Sequence, residues 1–122
     1  NFIRPDSTAL GSINQSGSGG VSYNSASDYR LKENVQPLKN SLAKISALSP
    51  VTYDWIIDKT PGEGFIAHQL QEIIPAAVTG EKDAVNSDGS IKPQGVDYSK
   101  IVPHLVAAIQ ELVSRIELLE AK

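Results

Sequence analysis

The sequence predicts an α+β protein, mainly helical with short strands and β-hairpin arms, whose long C-terminal helix joins a bundle or coiled coil. Three observations predict it. Apolar residues hold a heptad over 98–119. Upstream, short β-branched and aromatic runs alternate with helical patterns. The first 26 residues are small, polar and glycine-rich, which suits turns and thin strands.

Composition sets the outer bounds. At 122 residues the chain fits one compact domain, and 40% apolar with 20% charged residues is ordinary for a globular chain. A net charge of -3 offers no broad attraction to nucleic acid or an anionic membrane, so neither is expected as a partner. With no cysteine, disulfides and thiolate metal sites are excluded. No apolar run approaches a membrane span and no leader pattern is present. The chain opens without methionine and in mid-pattern, which suggests a piece of something longer.

Taken in order, residues 1–26 read as a β-rich tail. Phe2-Ile3 is a short apolar pair stopped by Arg4-Pro5. Ile13 and Val21-Ser22-Tyr23 flank a polar, glycine-rich loop over 14–20, the signal of a hairpin. One hairpin of that size is marginal alone and needs copies of itself or a larger body. A flexible linker is the other reading. Asn14-Gln15-Ser16 matches a glycosylation sequon, which means little without a secretory signal.

Leu31, Val35, Leu38, Leu42 and Ile45 recur at helical intervals, and Pro37 suits a first turn. This predicts a helix over 37–48, stopped by Ser49-Pro50. Residues 51–57 have strand composition and 58–64 read as a turn. Tyr53 and Trp55 are expected to be buried packing residues. Gly64-Phe65-Ile66 reads as a short strand, followed by a helix over 67–74 that Pro75 ends. His68 in that helix has no second ligand at metal spacing, so no metal and no other cofactor is expected. Ala77-Val78-Thr79 reads as a strand. The polar excursion 83–95 carries Asp88-Gly89, a hairpin turn between Val85 and Ile91. Its acidic residues do not match a calcium loop.

The last helix, about 98–121, places Val102, Ile109 and Ile116 at a, with Tyr98, Leu105, Leu112 and Leu119 at d. Pro103 falls in the first turn, where its missing N–H does no harm. β-branched a with Leu at d alone favours two strands. Ile101 and Ala108 at g, with Val106 and Val113 at e, widen the face to suit a third strand or packing on the helix's own domain. His104, at c, is expected to face solvent.

The stretch joining tail to body, Ser27-Asp28-Tyr29-Arg30-Leu31-Lys32-Glu33-Asn34-Val35, sets a hydroxyl and an amine five residues apart. Serine with lysine is a minimal nucleophile–base pair. On one helix the two would sit roughly 140° apart, and in an extended chain about 17 Å apart. They meet only if Ser27 lies on a turn outside the element carrying Lys32, or if the base comes from another subunit. A free lysine, with pKa about 10.4, cannot take the proton at neutral pH. Burial or a cation such as Arg30 would have to lower that value. The plain alternative is a helix N-cap at Ser27-Asp28 followed by a solvated face.

The same string resembles the opening of the C-terminal intramolecular chaperone domain of phage tailspikes and tail fibres, the self-cleaving endosialidase type. The resemblance continues through Pro50-Val51-Thr52-Tyr53-Asp54-Trp55, Gly64-Phe65-Ile66-Ala67, Leu70-Gln71-Glu72-Ile73-Ile74-Pro75-Ala76-Ala77-Val78, Val96-Asp97-Tyr98 and the closing helix. It implies that residues 1–26 end a fibre or spike and that 27–122 form its chaperone domain. The implied function is to trimerise and fold the upstream fibre of the same polypeptide, then to leave by autoproteolysis at Ala26–Ser27. Ser27 is then the nucleophile of a single-turnover serine endopeptidase and Lys32 its base; from the residues alone, Asp28 and Arg30 beside them are candidate supporting groups. Ser27 attacks the carbonyl of its own preceding residue, by an N→O acyl shift or a close relative. The resemblance further implies a virion precursor assembled in the host cytoplasm, with the 83–95 arm embracing the fibre body. The oligomer seam is Val102, Leu105, Ile109, Leu112, Ile116 and Leu119. Two other readings stand beside this one. A non-cleaving trimerisation cap would use Ser27 only as a helix cap. A glycan-binding fibre tip would need exposed aromatics near carboxylates, which only Tyr53, Trp55 and their neighbours could supply.

Overall fold

Alternating polar and apolar residues in the tail do form strands. The structure, a computed structural model of the chain, describes residues 2–7 and 9–122. Its contacts gather into two units, Asn1–Pro37 and Leu38–Lys122.

In the first unit β1 (Phe2–Ile3), β2 (Ala9–Ser16) and β3 (Gly20–Ser25) form an antiparallel sheet in the order β1-β2-β3. The β2–β3 ladder runs from Gly11↔Ser25 to Ser16↔Gly20, so Asn14, Gln15 and Ser16 are strand residues and not loop. The turn shrinks to Gly17-Ser18-Gly19, where Gly17 takes φ 59°, a conformation that costs glycine little. Polar side chains tie the outside of the strands together, as where Asn24 Nδ2 donates to Ser22 Oγ at 3.2 Å. Among the described residues of this unit none is buried.

The second unit begins with α1 (Ser41–Ala47), then β4 (Val51–Asp54) and β5 (Pro61–Gly64), paired antiparallel. Next come α2 (Ala67–Ile73), β6 (Val78–Thr79), β7 (Gly95–Val96) and α3 (Val102–Glu120). β6 pairs with β7, and Val85 bridges Ile91 across the Asp88-Gly89 turn, where Gly89 has φ 84°. The core is Leu70, Ile74, Ala77, Val78 and Ile101, with Ile45, Leu48, Phe65 and Val96 packed around it.

Four local expectations are corrected. The first helix starts at Ser41, not 37, because Asn40 takes a left-handed φ of 64° that interrupts a helical run. Leu31 lies in a 3₁₀ turn and Val35 is exposed outside any helix, so their helical spacing is not used. The strand expected over 51–57 ends at Asp54. Trp55 N–H donates to Thr60 O at 2.8 Å and Lys59 N–H to Trp55 O at 2.7 Å, which closes a hairpin and leaves Ile56 and Ile57 in its loop. Asp58, accepting from Thr60, and Lys59 at φ 60° shape that loop against the β propensity of the isoleucines. Residues 61–64, read as turn, form β5, because Gly62 leaves room for the Tyr53 ring that a Cβ there would strike.

Tyr98–Lys100 is a separate 3₁₀ turn capped by Asp97, and the final helix starts at Val102 and not at 98. Pro103 sits in its first turn, as expected. No helix among the described residues is long and apolar enough to cross a membrane.

Candidate functional site

The β2–β3 ladder ends at Ser25, and one further bond follows it, Ala26 N–H to Leu10 O at 2.8 Å, immediately before Ser27. The chain then makes one 3₁₀ turn, Tyr29–Leu31, closed by Leu31 N–H to Asp28 O at 3.0 Å and Lys32 N–H to Tyr29 O at 3.1 Å. Asp28 is its cap, with φ -64° and ψ 135°; the carboxylate accepts from Arg30 N–H at 2.9 Å. The cap role offered to Ser27 therefore belongs to its neighbour. Ser27 and Lys32 leave the turn from its two ends, and Lys32 Nζ donates to Ser27 Oγ at 2.7 Å.

Arg30 binds the Asp28 carboxylate through Nε at 2.9 Å and Nη2 at 2.8 Å, a two-pronged pair that matches fork to carboxylate. That pairing holds the Asp28 carboxyl below, and the Arg30 guanidinium above, their ordinary values. The cation proposed from sequence to ease the proton from Lys32 is thus engaged by Asp28. Ser27 and Lys32 are both exposed in the single chain. In that hydrogen bond the Lys32 amine is the donor and the Ser27 oxygen the acceptor. Base catalysis requires the reverse transfer, from hydroxyl to neutral amine.

The six seam residues lie along one face of α3. Leu105, Leu112, Ile116, Val102, Ile109 and Leu119 are 42% to 66% exposed, and Val106 and Val113 widen the same apolar strip. The flank of that strip made by the g positions packs at home: Ile101, just ahead of α3, and Ala108 are buried, and α3 lies against α1. Tyr98, expected at a d position, lies outside α3 and its ring meets Phe65 with centroids 6.0 Å apart.

His104 corrects another expectation. It is half-buried and not solvent-facing, and its Nδ1 is 3.0 Å from Oγ of Ser41, itself 2% exposed. Burial, and then the Lys44 charge, lower its pKa from the ordinary histidine value. The heptad counts only contacts along one seam, whereas His104 is placed by α1, sixty-three residues away. The expected burial of Trp55 also fails. It is 54% exposed, edge-to-face with Tyr53 at 5.0 Å, over an open groove of about 710 Å³ shared with Phe65 and Tyr98. Among the described residues no group of His, Cys, Asp and Glu could hold a metal ion.

These features define a small α+β domain with an exposed apolar helix face, preceded by a hairpin and a hydroxyl–amine turn. Residues 27–79 match the sequence model of the family described as the chaperone of endosialidase, and the match begins at Ser27 itself. This is the family that its motifs resemble. It is 33% identical over 102 residues to the long tail fiber protein Gp37 of Enterobacteria phage K3, and equally to that of Enterobacteria phage T2. It is also 32% identical over 100 residues to a probable tail fiber protein of Escherichia phage Phieco32. Each alignment covers 79% of this chain but only 8%, 7% and 13% of the respective relatives, so the chain spans a small part of their length.

Proposed function

We propose that the chain is the chaperone end of a phage tail fibre or spike, that it trimerises and folds the fibre upstream, and that it then cuts itself at Ala26–Ser27. The observation that supports the cut is the 2.7 Å approach of Lys32 Nζ to Ser27 Oγ at the first residue of the family match. Lys32, once neutral, takes the hydroxyl proton as Ser27 Oγ attacks the Ala26 carbonyl carbon. The Ala26–Ser27 C–N bond breaks, the Ser27 nitrogen takes a proton, and an ester remains. Water hydrolyses that ester, leaving the Ala26 carboxylate and restoring the Ser27 hydroxyl. Backbone N–H groups around Ser27 are the natural donors to the oxyanion.

A homotrimer gives this chemistry its timing. A β-rich fibre of intertwined chains needs many non-local contacts and loses loop-closure entropy before they form. Joining three α3 seams first raises the local concentration of the tails to roughly millimolar. Ser27 and Lys32 are exposed in one copy, so neighbouring copies must cover them to make the amine proton-poor. Cleavage then follows assembly, and loss of the chaperone leaves the fibre kinetically stable. In this reading the functional boundary falls between Ala26 and Ser27, with the 83–95 arm reaching for the fibre body.

Intact mass of freshly made protein tests the cut. The expected product begins at Ser27 and is absent from Ser27→Ala and Lys32→Ala, both of which still assemble. One uncut mass in the wild-type chain and both variants leaves the non-cleaving trimerisation cap as the reading.

A further inference from the structure

We infer that Asp28 and Arg30 are positioning residues for the Ser27–Lys32 pair, clamping the 3₁₀ turn that brings hydroxyl and amine together. The inference rests on the proteolytic reading above. Its starting point is what the turn lacks. Tyr29 is 83% and Leu31 60% exposed, so no apolar burial anchors the turn within the single chain. Two backbone hydrogen bonds close it, and short 3₁₀ turns have poor hydrogen-bond geometry.

The Asp28 carboxylate supplies the missing restraint. It receives three bonds from one residue, Arg30: the backbone N–H, Nε and Nη2. The first makes Asp28 the cap, and the other two fix the plane of the carboxylate by a fork that an ammonium group cannot imitate. Ser27 precedes the clamp and Lys32 follows it, so loosening either partner frees both reacting side chains at once. The pair is also electrically balanced. Arg30 therefore acts by holding shape, not by repelling a proton from Lys32, and this separates the proposal from the role first offered to that arginine.

The test uses the full chain and follows formation of the fragment beginning at Ser27 from pH 6 to 10, with oligomeric state measured in parallel. A small misplacement of reacting groups costs about 100-fold in rate, which is the loss expected for Asp28→Ala. In the double variant Asp28→Ala, Arg30→Ala, which removes both charges of the pair together, the pH midpoint stays where the wild type has it. Asp28→Asn recovers part of the rate because the amide oxygen still accepts from the Arg30 N–H, while Arg30→Lys falls with Arg30→Ala. Amide exchange at Leu31 and Lys32, measured in an uncut Ser27→Ala background, rises about tenfold on adding Asp28→Ala, the order expected for losing one cap. The clamp is overturned by Asp28→Ala cutting at the wild-type rate, by a shifted pH midpoint in the double variant, by a loss of rate that only tracks lost assembly, or by unchanged amide exchange. Absence of any wild-type fragment sinks the proteolytic reading instead, and the exchange data then still decide whether the clamp holds the turn.

Discussion

The two units hold together by different means. Leu38–Lys122 buries Leu70, Ile74, Ala77, Val78 and Ile101 around α2, and then has a second apolar face left over on α3. Asn1–Pro37 buries nothing among its described residues; its sheet is held by backbone ladders and exposed polar cross-links. A sheet without a covered face has little hydrophobic support against its chain entropy. The difference teaches that the body carries a core of its own, whereas the sheet ahead of it has no covered face among its described residues. A helper that folds early and a client that folds late is the division of labour proposed above.

The largest expected effect separates chemistry from architecture. Ser27→Ala lowers cutting by at least about 10³-fold, the scale of losing a nucleophile, and leaves the melting of the body unchanged. Gel analysis beside thermal unfolding reads both. Next comes a change within the body's own core. Leu70 is 1% exposed, and Leu70→Ala leaves a cavity that costs about 3 kcal/mol. Denaturant unfolding of the body reads that loss, and equal destabilisation of the tail alone would break the comparison.

Leu105→Glu with Leu112→Glu addresses the surplus face. These side chains are exposed in the single copy, so the variant keeps its helices by circular dichroism and loses only its oligomer by light scattering. Loss of helix together with oligomer would mean that the body does not fold alone.

The smallest effect sharpens how α3 is held. His104 has its pKa depressed in the folded chain, so the unfolded chain binds its proton more readily. The stability this histidine contributes is present above about pH 6.5 and falls away as pH drops through the folded value. The melting temperature of the seam variant should fall between pH 7.5 and pH 5 on this account, with a flatter profile for His104→Gln.

What was legible in the sequence follows the range of the interactions. The Asp88-Gly89 turn, the stop at Pro75 and the apolar strip of α3 are written in neighbouring residues, and each is found where expected. The start of α1 was not legible, because a left-handed Asn40 overrides an apolar spacing that continues through it. His104 was misread because α1 supplies its partner Ser41, and Trp55 because the closing of a hairpin leaves its ring half exposed. At the candidate site the spacing of Ser27 and Lys32 left two ways to meet, a turn at Ser27 or a base from another subunit, and the structure has the 3₁₀ turn Tyr29–Leu31 between the two residues. That Asp28 both caps it and binds Arg30 is not legible in the sequence, since Asp-Tyr-Arg alone reads equally well as a solvated face.

The rate of cutting in the monomeric Leu105→Glu, Leu112→Glu variant, set beside that of the wild-type assembly at the same protein concentration, tests the central claim most directly. If neighbouring copies complete the Ser27–Lys32 pair, the monomer stays whole while the assembly yields a fragment beginning at Ser27. A monomer that cuts at the wild-type rate would contradict the account.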